Sequence, residues 1–392
     1  MNNKASSILQ NAKALLLTGS AALCLCLLTG CSHEELPETG KYNTMIVLRG
    51  DGTKALAPDE AQSIVIYAFS HDTNDLVGYL YEATINGRDI FPMNLTAGGQ
   101  IDFYVILNPV CNGFEIIDNN NQLVNFDPHE GITPDIIQNW KLRRTRLEPD
   151  EAVPMSNLEE QVDGYHNPTG ESNRTFEVVA DRNSWQEIPI QVTRAVSKVE
   201  VWFWANDNWT NPPWNYSSID SQVLTDPVSE SMVFDRNSTD YSSTRREAKN
   251  EKPYHTNGTQ GNLNDEKFKE YEAGTLFYNE NYFKLIWEQY ILPNTLYGGD
   301  NMGQTSESGT DCTTLKIDYT YHYQYNTSGT GRWPDYEWGE EPQENKTIYL
   351  PASSRNTIIK VWCALRDDTD RSFTYQVVDW DESVTVDIPD FD

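Results

Sequence analysis

The sequence is poor in positive charge, since its 392 residues hold 29 Lys and Arg against 59 Asp and Glu, a net charge of −30. Such a surface repels phosphate, which argues against nucleic acid as a partner and against docking on anionic lipid through a basic patch. The hydrophobic fraction is also low, at 38%, but 21 Tyr, 13 Phe and 11 Trp supply enough apolar surface for packed cores. The aromatic excess, together with 23 Gly and 19 Pro, favours an all-β protein with long loops and little helix.

The sequence also lacks the common motifs of catalysis. It has no His-Glu-x-x-His, no Gly-x-Ser-x-Gly, no phosphate-binding loop and no dinucleotide-binding glycine pattern. Its six His are scattered through polar segments, and residues 118–121 lack the Gly and Glu of a calcium loop, which indicates a turn. We therefore expect no enzymatic activity, no metal site and no cofactor. A glycosidase-type carboxylate pair stays open, because some pair is expected by chance among 59 acidic residues.

The first thirty residues have the features of a lipoprotein signal. An apolar stretch, broken by Thr18-Gly19-Ser20 and short for a membrane span, ends in Leu28-Thr29-Gly30-Cys31. This end resembles the lipobox of bacterial lipoproteins. The resemblance implies a signal peptide at residues 1–30, cleavage before Cys31 and several acyl chains such as palmitate on Cys31, because a single chain binds a membrane only marginally. The alternative is an ordinary secretory signal with a chance Cys.

The start of the mature chain, residues 31–43, is predicted to be a polar tether. Glu34 and Glu35 resemble the surface-export signal of some Gram-negative lipoproteins, which implies that the protein lies on the outer face of the outer membrane. A simple solvated tether is the alternative.

Few cysteines follow the tether, and their spacing matches no metal-binding pattern. Two alternatives stay open for Cys111, Cys312 and Cys363: one disulfide bond between two of them, or three free thiols.

Short apolar runs between turn signals predict strands along the mature chain. In the run Ser197–Trp204, for example, Val199, Val201 and Phe203 share one face. Residues 134–147 are predicted to be either a helix or an irregular segment. The predicted strands are Thr44–Arg49, Ser63–Phe69, Leu76–Tyr81, Asp102–Leu107, Trp185–Val192, Ser197–Trp204, Thr314–Tyr321, Lys346–Leu350, Thr357–Leu365, Ser372–Val378 and Ser383–Pro389.

We therefore expect two tandem β-sandwich domains, at residues 44–190 and 191–392. A polar stretch at about 215–269 is predicted to be an insertion and not part of a core. The tryptophans allow a second interpretation, a surface lipoprotein that binds glycans, because exposed indole rings stack on sugars whereas buried ones seal sandwich cores. The tryptophans in question are Trp202, Trp204, Trp209, Trp214, Trp333 and Trp338.

Several local motifs occur in a fixed order along the chain. Ala152–Asn157 contains Pro-Met-Ser, and Val192–Val201 contains an Arg followed by Ala and Lys-Val, with Ser197 where Ala is usual. Near the end, Ser354–Thr357 carries Arg-Asn and Tyr375–Trp380 carries Val-x-x-Trp. With the lipobox, this order resembles the fimbrillin superfamily, the subunits of type V pili.

The resemblance implies transthyretin-like domains and a structural subunit of surface fimbriae, with other subunits as partners and an adhesion target on a host or bacterial surface. It also implies that an arginine-specific protease removes the first strand and that a C-terminal strand of the next subunit fills the groove. In this sequence the removable strand is Met45–Leu48, the cut follows Arg49, and Lys54 is a second basic site. The donor strand carries Val384, Val386 and Ile388 on one face.

An anchor subunit would keep its first strand. The alternative to cleavage is therefore that Arg49 is only the last residue of a strand that stays in place. The role as stalk, accessory, tip or anchor subunit stays open.

Overall fold

The fold is described by a computed structural model. The residues that it places are 44–50, 61–96, 98–111, 113–126, 131–145, 152–163, 168–179, 185–205, 215–235, 239–240, 246–250, 254–255, 276–278, 281–295, 311–326, 336–365 and 371–379.

The first part of this described chain contains thirteen strands and one short helix. They are β1 (Thr44–Arg49), β2 (Ile64–Ser70), β3 (Leu76–Glu82), β4 (Ile90–Met93), β5 (Gly99–Leu107), β6 (Phe114–Ile117), α1 (Pro134–Gln138), β7 (Lys141–Arg144), β8 (Met155–Ser156), β9 (Glu160–Val162), β10 (Pro168–Ser172), β11 (Thr175–Val178), β12 (Gln186–Gln191) and β13 (Thr193–Arg194).

The remaining described strands include the four longest and form most of the second part. They are β14 (Ser197–Ala205), β15 (Asn215–Asp226), β16 (Glu230–Met232), β17 (Thr239–Asp240), β18 (Arg246–Asn250), β19 (Tyr254–His255), β20 (Leu276–Tyr278), β21 (Asn281–Ile291), β22 (Thr314–Asn326), β23 (Tyr336–Tyr349), β24 (Thr357–Leu365) and β25 (Arg371–Asp379). The prediction of an all-β fold with little helix is therefore confirmed for the described residues.

Two sheets enclose the first core. One has the order β12-β1-β4, and the other has the order β13-β8-β5-β2-β3 with β11 paired to β5. Their facing side chains are fully or almost fully buried in one cluster, among them Ile46 of β1, Phe91 of β4, Ile66 of β2 and Phe103 of β5. Burial of this apolar surface is the main force that holds the two sheets together.

The second of these sheets is covered on both faces, which explains why β2 is a continuous apolar run. The even-numbered residues of β2, such as Ile66, face the first core, whereas Val65, Tyr67 and Phe69 face a second hydrophobic cluster. A further sheet of order β17-β16-β7-β6 contributes to that second cluster, for example through Leu142.

A separate sandwich encloses the third core. Its sheets have the orders β20-β21-β14-β24-β25 and β18-β15-β22-β23, with β19 paired to β15. Val199, Val201 and Phe203 of β14 all point into this core, as their alternation predicts. Lys198 lies on the opposite face and forms an ion pair with Glu200, Nζ to Oε1 2.7 Å.

The polar stretch at 215–269 is not simply an insertion, and that prediction needs correction. Its first residues form the 12-residue strand β15, which pairs with β22 and buries Ile219 and Leu224 in the third core. Residues 230–232 then form β16, which pairs with β7 of the first part of the chain. Val233 and Phe234, which follow, are buried in the second cluster. The polar residues conceal the strand because only a few apolar positions face its core.

The segment 134–147, left open by the sequence, contains both a helix and a strand. Pro134 begins α1, and the side chain of Thr133 caps it by accepting a hydrogen bond from the Ile136 amide. The chain then enters β7. Among the residues that the structure places, no helix is long and apolar enough to cross a bilayer.

Candidate functional site

The first strand, β1, lies in the middle of its sheet. It pairs in parallel with β12 over six residues and antiparallel with β4 over four. Ile46 and Leu48 point into the first core, with exposed fractions of 0% and 2%. Removing β1 would therefore open a groove between β12 and β4, with unpaired backbone groups along both walls.

The walls of this groove are apolar. Ile188 and Ile190 come from β12, and Phe91 and Met93 come from β4; all four are buried. The opposite sheet supplies the floor, because its side chains form one cluster with those of β1. A strand of alternating apolar residues is the shape that fits such a groove.

Arg49, the predicted cleavage residue, is the last residue of β1 and its side chain is exposed. Its backbone carbonyl accepts a hydrogen bond from the Val192 amide at 2.9 Å. A protease that binds the Arg49 side chain would have to break this bond, so local opening of the strand end precedes any cut. Lys54 lies outside the described residues.

The Pro-Met-Ser, Arg-Ala and Arg-Asn motifs, which are distant in sequence, meet around Arg355. This side chain is buried, with 3% of its surface exposed. Its guanidinium donates to the Val233 carbonyl at 2.9 Å, to Ser156 Oγ at 2.8 Å and to the Thr193 carbonyl at 2.8 Å. Its Nε also donates to the Arg194 carbonyl at 3.2 Å. One side chain thus connects β8, β13 and the segment after β16.

The neighbours of Arg355 extend this buried network. Arg194 Nη1 donates to Asn356 Oδ1 at 2.9 Å, and Ser197 Oγ donates to the Ser354 carbonyl at 2.6 Å. Asn356 has a φ of +58°, a left-handed conformation that Asn adopts more readily than most residues. We call the set Ser156, Arg194, Arg355 and Asn356 the motif junction. It joins the first part of the chain to the second.

Asn157, next to the motif junction, stabilises the middle of β5. Its Oδ1 accepts from the Val105 amide at 2.8 Å, and its Nδ2 donates to the Phe103 carbonyl at 2.9 Å. The side chain replaces ladder hydrogen bonds that no neighbouring strand supplies there.

A buried ion pair forms a further connection between the two parts. Arg144 Nη2 of β7 lies 3.4 Å from Asp226 Oδ2 at the end of β15, and both side chains are almost completely buried. Burial raises the pKa of Asp226, whereas the charge of Arg144 acts in the opposite direction. Arg144 Nη1 also donates to the Tyr290 carbonyl at 2.9 Å.

The remaining predicted residues fall into three groups. Cys111, Cys312 and Cys363 form no disulfide with one another, and burial raises the pKa of the Cys363 thiol. Trp202 is buried and packs on Trp362 at 5.4 Å between ring centroids, so it cannot serve as an exposed sugar platform. Outside the described residues or side chains lie Cys31, Trp204, Trp209, Trp214, Trp333, Trp338, Val384, Val386 and Ile388.

The turn predicted at residues 118–121 is confirmed. The Asp118 carboxylate accepts from the Asn120 and Gln122 amides, both at 2.8 Å, and is thus used within the turn. In the described ranges no group of three or more His, Cys, Asp and Glu is arranged to hold a metal ion.

The chain matches no protein-family model, and no curated protein matches it. Among solved structures it is similar to a candidate cell adhesion protein from Parabacteroides distasonis ATCC 8503, at 14% identity and a TM-score of 0.46, over 88% of this chain and 99% of that chain.

Two fimbrial proteins from Porphyromonas gingivalis are also similar to the chain. The tip fimbrial protein Mfa3 has 13% identity and a TM-score of 0.39, over 86% of this chain and 99% of that chain. The fimbrial anchor protein Mfa2 has 9% identity and a TM-score of 0.36, over 86% and 97%. Every one of these TM-scores is below 0.5.

Proposed function

We propose that this protein is a structural subunit of cell-surface fimbriae, exported as a lipoprotein and assembled by strand exchange at the position of β1. The observation that supports this proposal most is the placement of β1. It is the first described strand, it lies between β12 and β4, and it ends on an exposed arginine. In this function the partners are other subunits, and the protein is held at the outer face of the outer membrane.

The energetics of β1 suit an exchangeable strand. Ile46 and Leu48 are buried in the first core, and such side chains contribute about 1.5–3 kcal/mol each when removed from water. Loss of β1 also leaves backbone groups of β12 and β4 without partners. A subunit that has lost β1 is therefore left with a groove that strongly favours an incoming strand.

The donor in this proposal is the C-terminal run Ser383–Pro389. Val384, Val386 and Ile388 occupy every second position of the run, as Ile46 and Leu48 do in β1. In sequence the run follows β25, the last described strand.

Truncation after Trp380 tests the donor role. We expect folded monomers with an unchanged melting temperature that no longer form an SDS-resistant ladder, because the groove of the next subunit stays empty. Truncation after Asp390, which keeps the alternating run, is the matched control and should form the ladder. A markedly lower melting temperature for the shorter chain would show that the run completes its own sandwich, and normal polymers from it would exclude the donor role.

Replacing Cys31 with Ala tests export as a lipoprotein. We expect the variant to incorporate no labelled palmitate and to be lost from the outer-membrane fraction, because the acceptor thiol is missing. Cys111→Ala is the matched control and should be labelled as the parent protein is. Incorporation of acyl chains into the Cys31 variant would contradict the assignment.

A further inference from the structure

A cleft of about 430 Å³ lies beside the hairpin of β9 and β10, at the segment that follows β16. Its volume is in the range of small-molecule sites. Leu158, Val162 and Phe234 are among the apolar residues that line it, and Arg174 is its cationic residue. None of the residues that line the cleft belongs to β1, and no step of the proposed assembly uses it.

Arg174 is buried and incompletely paired. Only 8% of its surface is exposed, and its Nε has no hydrogen-bond partner among the described residues. The guanidinium lies over the rings of Tyr104 and Phe234, 4.9 Å and 6.0 Å from their centroids. These rings hold the guanidinium in place without neutralising its charge.

The surroundings of Arg174 leave its charge uncompensated. Among the described residues no carboxylate forms an ion pair with it. Burial raises the pKa of Tyr104, so the phenol below the guanidinium stays neutral. Gln138 Nε2 donates to the Tyr104 hydroxyl at 2.5 Å, which fixes that ring. A buried cation of this kind gains from an anionic ligand.

The rim of the cleft has the opposite charge. Glu159, Glu160 and Asp235 line it, and all three are exposed. The chain as a whole carries −30, so a simple anion is repelled before it reaches Arg174. A ligand that carries a cationic group beside a carboxylate can pair the cationic group with the acidic rim and the carboxylate with the buried arginine.

We propose that this cleft binds a zwitterion of amino-acid size with an apolar side chain. The carboxylate is bound by Arg174, the ammonium group lies among Glu159, Glu160 and Asp235, and the apolar side chain packs against Leu158, Val162 and Phe234. The site is independent of strand exchange, so binding and polymer formation can succeed or fail separately.

Calorimetry on the full-length chain at pH 7 tests the site, with L-leucine as the probe. We expect saturable binding with a Kd of about 1 mM or lower. Leucine methyl ester lacks the carboxylate charge and N-acetyl-leucine lacks the ammonium charge. Each should bind about tenfold or more weakly, since a hydrogen bond to a charged group is lost. No binding of leucine, or equal binding of all three compounds, would overturn the proposal.

Variants locate the binding. Arg174→Gln should abolish leucine binding, and Glu160→Gln should weaken it severalfold, whereas Glu171→Gln, an exposed residue of β10 outside the cleft, should leave it unchanged. Should Arg174→Gln unfold, as judged by its thermal transition, the exposed Glu160→Gln and the ligand series decide the question. Leucine binding that Glu160→Gln leaves unaltered would contradict the assignment of this cleft.

Discussion

Replacing Arg355 with Met is expected to lower the free energy of unfolding by at least about 3 kcal/mol, the largest stability change that we predict. The substitution removes the guanidinium donors to the Thr193 and Arg194 carbonyls and one of two donors to the Val233 carbonyl, which keeps the Ser156 hydroxyl. It also takes a partner from Ser156. A buried acceptor left without a partner costs about 1–3 kcal/mol, and Met supplies no donor in exchange. Urea denaturation followed by tryptophan fluorescence measures the change.

Arg143→Met is the matched control for that experiment. Arg143 also lies at the junction of the two parts of the chain, but it is partly exposed and pairs with Glu230 at 3.2 Å. An ion pair of this kind contributes about 0–1 kcal/mol, so the control should change little. Arg355→Lys should be intermediate, because an ammonium group cannot reach four acceptors in the planar arrangement of a guanidinium. Equal denaturation midpoints for Arg355→Met and Arg143→Met would show that the motif junction is not a main source of stability.

Local patterns were sufficient to predict several strands. The continuous apolar run of β2 and the alternation of β14 each predict the observed strand within one or two residues. A strand that is buried on both faces is apolar throughout, and a strand that is buried on one face alternates, so both patterns can be read from the sequence. The first strand, β1, was likewise predicted with its observed bounds from an apolar run that ends at a Gly-Asp-Gly turn.

The strand β15 was missed for a definite physical reason. A bulge between Ile219 and Ser221 shifts its register against β22. Ile219 and Leu224 therefore both face the core although they are an odd number of positions apart, and the two-residue period is lost. The insertion at 215–269 was predicted from the polar composition of the stretch, and the lost alternation left no strand signal to oppose that prediction.

The motif junction was not predictable from local pattern, because its members meet only through the tertiary fold. Ser156 and Arg355 are 199 positions apart. The sequence identified both as members of motifs, but nothing in those motifs states that they touch. The cleft at Arg174 was missed for the same reason, since Tyr104 and Phe234 approach the arginine from distant parts of the chain.

Replacing Arg49 with Ala is expected to abolish maturation and polymer formation completely. The side chain is exposed at the end of β1, so its loss should hardly change stability, and a failure to polymerise can be assigned to cleavage and not to misfolding. In the proposed assembly β1 must leave before a donor strand can enter. An uncut subunit keeps Ile46 and Leu48 in the groove and offers no site to its neighbour. N-terminal sequencing of protein released from cells, with SDS gels of unheated samples, measures both steps.

The parent protein should begin at Gly50 and form a ladder of oligomers, whereas Arg49→Ala should retain the acylated start at Cys31 and run as a monomer. Arg49→Lys keeps the charge and the long aliphatic stem, so it preserves any contact that the side chain makes but not the geometry that an arginine-specific protease binds. We therefore expect it to fail as Arg49→Ala does. Lys54→Ala is the matched control and should mature normally. A normal ladder from Arg49→Ala, with Lys54 unaltered or also replaced, would show that β1 stays in place and that this chain joins the fimbria without exchanging its first strand.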